Sequence, residues 1–248
     1  MSSKMTIVIA AKDPKENQFL SCLYSVAGLE YSVKIDLLII AGSEIPKIDE
    51  YISFRVNSLR IIYQPPAGIY DAYNRALIEI DNGYILFLGS DDLILPEIDN
   101  ILMNVEYMTS DVIVGRTLME GRGLTKPRKD AHWLIFNNWC QQGIIYNRSC
   151  FDGRVFDTGY PIQADHEFNI YIATSKHFLI EFRDEIIAFF SNEGVSQNMV
   201  DWKYREAFPD IVRKYYGSLW GLVSYLKRQI ATNIKRHRRI DVRAQLDR

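Results

Sequence analysis

The stretch from Gln64 to Pro96 constrains the fold more than any other part of this 248-residue chain. It opens with Gln64–Gly68, a run that cannot continue a helix or a central strand because proline lacks an N–H and fixes φ. From Ile69 to Ile80 the apolar residues recur at three- and four-residue steps, which predicts a helix. Tyr84–Leu88 is a wholly apolar run, typical of a strand covered on both faces. The block predicts a turn, a helix and a buried strand in succession.

The ends of this helix and strand carry further signals. Asn82-Gly83 is expected to end the helix, because glycine readily takes the left-handed conformation of a C-cap. The strand ends at Gly89-Ser90-Asp91-Asp92, and in open α/β sheets ligands bind beyond the carboxyl ends of the strands. Neighbouring carboxylates repel each other unless a cation lies beside them, so Asp91 and Asp92 indicate a divalent metal site. An aspartate pair alone, however, is more often a solvated loop or a helix cap.

The chain before this block alternates between strand and helix patterns. Met5–Ala11, Lys34–Ala41 and Leu59–Tyr63 are apolar runs expected to form strands. Such alternation, with right-handed crossovers, brings the loops after the strands to one edge of a sheet. We therefore predict an α/β fold: a doubly wound, mostly parallel sheet with helices on both faces, followed by a C-terminal helical tail.

The second half of the chain has weaker patterns. A helix is predicted from Ile98 to Met108, followed by a strand at Asp111–Gly115. Glu120–Asp130 is glycine-rich and basic, and is either a solvated connection or a lid that faces phosphate groups. Phe178–Phe182 and Ile186–Phe190 are predicted to be two short strands.

Composition restricts the class of protein. The hydrophobic content of 48% and charged content of 24% are those of a soluble globular protein. No apolar run approaches the roughly 20 residues that span a bilayer, and the N-terminus does not resemble a secretory signal. Cys22, Cys140 and Cys150 are odd in number and lack metal-ligand spacing, which favours a reducing compartment. We expect a cytoplasmic protein, either free or peripheral on the inner face of the cell membrane.

The C-terminal part differs in charge from the rest. The formal net charge is −2, yet Lys227–Arg248 holds eight Lys or Arg against two Asp. Apolar residues fall at helical steps between Leu219 and Ile234. Such a helix either lies on an anionic membrane surface or packs on the body ahead of a basic tail. No nucleic acid partner is expected, because the chain as a whole is slightly acidic.

Several motifs together resemble one enzyme family. GIYDAYNRAL at 68–77, followed by FLGSDD at 87–92, resembles the nucleotide-binding half of family 2 glycosyltransferases, which have the GT-A fold. Cys140–Gly143, Phe156–Tyr160, Gln163–Phe168 and Ser191–Ser196 resemble segments of the acceptor half in the same order. The resemblance covers about residues 5–196. It implies a transferase domain at 1–200, made of a nucleotide-sugar half (1–96) and an acceptor half (97–200), and an extension at 201–248.

For the donor, the resemblance implies a nucleoside-diphosphate sugar and a divalent metal, Mn²⁺ or Mg²⁺. The implied nucleotide-sugar contacts are Ala11, Asp13, Gly68, Asp71, Asn74, Arg75, Ser90 and Asp91, and the implied metal ligands are Asp91 and Asp92. Arg75 reaches the diphosphate or lies on the helix surface, and Asp71 contacts the nucleotide or is a first-turn acid favoured by the helix dipole. The family usually has an acid after the second strand, where this chain has Gly42-Ser43. The nucleobase therefore stays open, with UDP as first choice.

For catalysis, Asp165 aligns with the family's base. The acceptor hydroxyl loses a proton as it attacks the anomeric carbon, and a carboxylate within reach can take it. A metal offsets charge on the leaving diphosphate, and attack opposite the leaving group inverts the anomeric centre. An acid at this position is otherwise an ordinary N-cap or first-turn residue. Gln142, His166 and Glu167 are the acceptor-side candidates.

The resemblance implies an inverting, metal-dependent glycosyltransferase. It would transfer a sugar to a hydroxyl of a growing glycan or lipid-linked oligosaccharide in surface polysaccharide biosynthesis. One alternative is a relative that binds nucleotide or sugar without turnover, which the missing acid after the second strand keeps open. A less favoured alternative is a nucleotidyltransferase, because Ala10–Asp13 lacks the glycine- and arginine-rich segment expected there.

Overall fold

The computed structural model describes residues 4–105, 108–192, 199–227 and residue 229. The chain divides into two compact units, Met1–Asp201 and Trp202–Arg248. The strands of the first unit are β1 (Met5–Ala11), β2 (Ile35–Ala41), β3 (Ser58–Tyr63), β4 (Tyr84–Gly89), β5 (Leu93–Ile94), β6 (Val112–Met119), β7 (Gly123–Leu124), β8 (Ile144–Asn147) and β9 (Ile180–Phe190). Its helices are α1 (Glu16–Ala27), α2 (Glu50–Arg55), α3 (Ile69–Ile78), α4 (Asp99–Leu102) and α5 (Ala164–Thr174).

These strands form one sheet in the order β3-β2-β1-β4-β8-β6-β9-β5, with β7 paired to β6. The first four strands are parallel, so the ends of β1, β2 and β4 point to the same edge. In the second half, β8 is antiparallel to both of its neighbours, whereas β9 is parallel to β6. The predicted α/β fold class is confirmed, with a parallel first half and a mixed second half.

Helices cover both faces of the sheet. On one face, alternate residues of β1, β2 and β4 form a continuous apolar core with buried residues of α1, α2 and α4. On the other face, Tyr73 of α3 lies 4.5 Å from Phe87 of β4, ring centroid to ring centroid. Phe168 of α5 stacks on Phe151 at 4.6 Å and joins the same aromatic group. The sheet thus separates a mainly aliphatic layer from a layer rich in aromatic residues, and α3 and α5 lie in the latter.

The predicted end of α3 is wrong. The helix ends at Ile78, and Glu79 caps it in the right-handed conformation. Gly83 instead directly precedes β4, with φ of 92°. A Cβ on Gly83 would lie only 2.4 Å from the carbonyl oxygen of Lys4. Glycine is therefore needed because the backbone passes close to the start of β1, and not because it caps the helix.

Two further boundaries also differ from the prediction. The helix expected from Ile98 to Met108 is reduced to a 3₁₀ turn at Pro96–Ile98 and the short α4. The two strands expected between 178 and 190 are one 11-residue strand, β9. Its register against β6 shifts between Val114 and Arg116. Such an irregularity lets a strand continue through the polar Arg183–Glu185, which interrupted the apolar pattern.

The second unit contains α6 (Trp202–Tyr216) and a helical stretch at 218–227. Within the described ranges, no helix is long and apolar enough to cross a membrane. Most of the predicted basic tail lies outside the described residues, and so does most of the predicted Ser191–Ser196 turn.

Candidate active site

After β4 the chain turns, and the carboxylates of Asp91 and Asp92 lie next to Gly89, the last residue of the strand. Asp92 Oδ2 accepts a hydrogen bond of 2.9 Å from the backbone N–H of Gly89. A Cβ on Gly89 would lie 2.8 Å from Asp91 Oδ1 and 2.9 Å from Asp92 Oδ2. Any side chain at position 89 would therefore collide with both carboxylates. Glycine permits the turn that places the two acids at the edge of the sheet.

Asp92 is enclosed by protein and is 1% exposed. Besides Gly89, its Oδ2 accepts from Gln142 Nε2 at 2.9 Å, and its Oδ1 accepts from the backbone N–H of Ser191 at 3.1 Å. Burial, and then the charge of Asp91, raises the pKa of Asp92 to about 6, although the three donors act in the opposite direction. These bonds tie the end of β4 to two other segments of the first unit.

Asp91 is less enclosed than Asp92, since its side chain is partly exposed. In the described ranges, no group of three or more His, Cys, Asp or Glu side chains could hold a metal ion. Mg²⁺ sites of nucleotide enzymes, however, commonly use one or two carboxylates together with phosphate oxygens. The residues present fit an ion held by Asp91 and by a phosphorylated ligand, with Asp92 supporting the turn behind it. The metal site stays a prediction.

Asp165 lies in the first turn of α5 and is 9% exposed. Its Oδ1 accepts a hydrogen bond of 2.8 Å from the Tyr70 hydroxyl, and its Oδ2 accepts one of 2.9 Å from Asn138 Nδ2. Burial is the main cause that raises the pKa of Asp165 to about 6, and both hydrogen bonds act against it. Gln163 occupies the N-cap position of α5, so Asp165 is not the helix cap.

One short segment, Asn138–Gln142, connects the two buried aspartates. Its first residue donates to Asp165 and its last residue donates to Asp92. The first residue is itself held by Asn169, whose Nδ2 donates to Asn138 Oδ1 at 2.9 Å. Asp165, on α5, and Asp92, just after β4, are therefore held by the same five-residue segment.

Tyr73 lies beside this site with a buried hydroxyl. Burial raises the pKa of Tyr73 well above its ordinary value, and the charges of nearby aspartates add to this effect. Those aspartates are Asp92, Asp165 and Asp91. All three acids are thus close enough to Tyr73 to act on it electrostatically.

The other predicted donor-side residues divide into two groups. Ala11, Asp13, Gly68 and Ser90 lie at or near the carboxyl edge of the sheet, where Asp13 and Gly68 are exposed. The three polar residues of α3 instead have protein partners: Asp71 with Gln64, Asn74 with the backbone of Phe156, and Arg75 with Glu79. Arg75 thus has a protein partner, and its contact with a diphosphate stays a prediction.

The acceptor-side candidates have structural partners. His166 is buried, its Nε2 lies 2.7 Å from the carbonyl oxygen of Leu134, and burial lowers its pKa to about 4. Glu167 forms an ion pair with Arg154. Gln142 contacts Asp92, which places it beside the donor-side acids. In these contacts His166 and Glu167 fasten α5 to neighbouring segments.

Sequence reasoning missed Tyr70, Asn138 and Asn169 as site residues. Tyr70 is not one of the apolar residues that define the helical period of α3, and Asn138 lies within an aromatic stretch. Asn169 offered the one usable signal, because it is a polar residue at a fully buried position of α5. Buried amides are normally hydrogen-bonded, and here Asn169 also accepts from the Tyr146 hydroxyl at 2.7 Å.

No protein-family model matches the chain. Over 151 residues, 57% of the chain, it is 28% identical to a PGL/p-HBAD biosynthesis glycosyltransferase of Mycobacterium bovis, and equally to proteins of the same description from Mycobacterium tuberculosis. The match spans 58% of the length of these relatives.

Solved structures of S. aureus TarS share the fold. TarS 1-349 matches with a TM-score of 0.66 and 14% identity, over 92% of this chain and 72% of that one. Its complex with UDP-GlcNAc matches with a TM-score of 0.64 and 14% identity, over 92% and 73%. Its complex with UDP also gives 0.64, over 86% and 66%. At this identity the likeness shows the fold alone.

Proposed function

We propose that this chain is a glycosyltransferase that uses a nucleoside-diphosphate sugar, with UDP as the first-choice nucleotide. The observation that carries the proposal is the segment Asn138–Gln142, which joins Asp165 to Asp92 in one site at the carboxyl edge of the sheet. The names of the mycobacterial relatives and the UDP-GlcNAc complex of TarS support the same reaction class. The proposed acceptor is a hydroxyl of a growing glycan or lipid-linked oligosaccharide in surface polysaccharide biosynthesis.

In this proposal the donor lies at the ends of β1, β2 and β4. Asp91, partly exposed beside Ser90, faces the diphosphate. A divalent ion bound there would offset the negative charge that develops on the leaving diphosphate. Asp92 keeps the turn closed through its three hydrogen bonds, so that Asp91 is held in place.

Asp165 is the proposed general base. Its raised pKa of about 6 leaves it mostly ionised at neutral pH, yet makes it a stronger base than a solvated aspartate. Tyr70 and Asn138 orient its two oxygens. The acceptor hydroxyl gives its proton to this carboxylate as it attacks the anomeric carbon opposite the diphosphate, and the configuration is thereby inverted.

Thermal unfolding with UDP, GDP, dTDP or CMP, each with Mn²⁺ and again with EDTA, tests the donor site. We expect UDP to stabilise the protein in the presence of Mn²⁺ and EDTA to remove the effect. A ligand at a hundredfold its dissociation constant stabilises a fold by about 2.7 kcal/mol. Stabilisation by none of the four nucleotides would contradict the proposal.

Turnover is measured separately, as acceptor-dependent release of UDP from UDP-sugars. Nucleotide binding without release in any donor and acceptor combination would favour a binding protein that lacks catalysis.

A further inference from the structure

The helical stretch 218–227 has its apolar residues on the outside. Leu219, Leu222, Val223 and Leu226 are 72%, 55%, 36% and 50% exposed. Their spacing of three and four residues places them on one side of a helix. We refer to these four residues as the leucine face. A helix of a soluble protein normally turns such a face toward its core.

The opposite side of this helix carries small residues that are buried. Gly221 packs so closely against α6 that a Cβ on it would lie 2.6 Å from Arg213 Cβ. Ser224, three residues further along the same side, is 5% exposed. Because a larger side chain would not fit against α6, the helix cannot turn about its axis to bury the leucine face there. The orientation within this unit therefore leaves four apolar side chains available to a partner.

The sequence that follows indicates the chemistry of that partner. From Lys227 to Arg248 there are eight Lys or Arg and two Asp. Tyr225, beside the leucine face, is 46% exposed. An apolar helix face, an aromatic residue next to it and adjoining cations are the features with which peripheral helices bind anionic lipid surfaces.

We propose that helix 218–227 binds the surface of an anionic membrane, with the leucine face in the outer acyl region. A second copy of the chain is a poorer partner, because two such faces in contact would bring two strongly cationic segments together. The inference goes beyond sugar transfer and does not depend on it, since it stands on this helix and its flanking charge.

Cosedimentation of the full-length protein with vesicles tests the inference. The vesicles are phosphatidylcholine, with and without phosphatidylglycerol. We expect the protein to bind the anionic vesicles and not the neutral ones. The double substitution Leu222→Ser/Leu226→Ser should weaken this binding at least about tenfold, because binding scales with the apolar area inserted. Its unfolding temperature should stay unchanged, since both side chains are already exposed.

Leu179→Ser is the matched control, because Leu179 is 57% exposed but lies in the first unit. It should bind vesicles like the wild type. Unchanged binding of the double variant would overturn the proposal, as would equal binding to neutral vesicles. A third outcome is that the wild type does not bind vesicles but forms a concentration-dependent dimer that the double variant does not form. That result would overturn the proposal and show that the leucine face binds a second copy of the chain.

Discussion

Asp92 and Asp165 are alike in burial and differ in their partners. Burial raises the pKa of both to about 6. Asp92 is surrounded by donors, two of them backbone N–H groups. Asp165 is held by two side chains, and the Tyr70 hydroxyl also lies 2.8 Å from the carbonyl oxygen of Ile162. That second acceptor gives the hydroxyl hydrogen another place to point.

This difference separates a structural carboxylate from one that can accept a proton. When Asp165 is ionised, Tyr70 donates to it. When Asp165 is protonated, its O–H can donate to the Tyr70 oxygen while Tyr70 donates to Ile162. The two backbone N–H groups that contact Asp92 allow no such exchange, because a backbone N–H can only donate. Similar burial and similar pKa values therefore do not distinguish the proposed base from Asp92, whereas the hydrogen-bond partners do.

The largest effect is expected for Asp165→Asn. The amide has the shape of the carboxylate but cannot take a proton, so transfer should fall by about two to four orders of magnitude. The fold should persist, because the amide can donate to the Tyr70 oxygen and still accept from Asn138. Initial rates of UDP release and the unfolding temperature measure both effects.

Glu167→Gln is the control in the same helix. It weakens the ion pair with Arg154 and should lower stability, while activity per folded molecule is retained. Near-normal transfer by folded Asp165→Asn would show that Asp165 is not the base.

Asp91→Asn should reduce transfer about a hundredfold, the size expected when a few kcal/mol of charge stabilisation is lost. The partly exposed side chain contributes less to folding than that of Asp92, so the unfolding temperature without ligand should not change. The measurement is the stabilisation by UDP with Mn²⁺, which should disappear. If that stabilisation survives in the variant, Asp91 is not the metal ligand.

Asp92→Asn should act on stability. The N–H₂ group of the new amide would replace one of the two carboxylate oxygens and would face an N–H donor there. That buried donor would be left without an acceptor, at a cost of about 1–3 kcal/mol. For a chain of this size each kcal/mol lowers the unfolding temperature by about 2–4 °C. Urea and thermal unfolding, compared with Asp91→Asn, measure the difference. If Asp92→Asn is as stable as the wild type, the structural role proposed for Asp92 is wrong.

The smallest effect is expected for Tyr70→Phe. A general base must be unprotonated, so kcat/KM should fall as the pH is lowered through about 6, the pKa of Asp165. The Tyr70 hydrogen bond lowers that pKa, and its removal should move the acidic limb of the pH profile to higher pH. Tyr73→Phe, on the same helix, is the control and should leave the limb in place. If the acidic limb does not move in Tyr70→Phe, the role proposed for the Tyr70 hydrogen bond to Asp165 is wrong.

Much of the first half of the fold could be predicted from the sequence. The periods of α3 and β4 are set by residues close together in the chain, and so is the turn Gly89–Asp92 that follows. The end of α3 could not be predicted, because Gly83 is required by a contact with Lys4 rather than by its neighbours. The continuity of β9 depended in the same way on its register against β6.

The sequence by itself determined most elements of the first half, the position of the acidic turn and the resemblance that singled out Asp165. Only the tertiary structure decided what surrounds Asp165. Its partners Tyr70 and Asn138 are 95 and 27 residues away along the chain. Helical and strand periods relate residues a few positions apart, so they cannot predict contacts between residues so far apart in the sequence. These contacts follow from the packing of α3, α5 and the segment Asn138–Gln142 against one another.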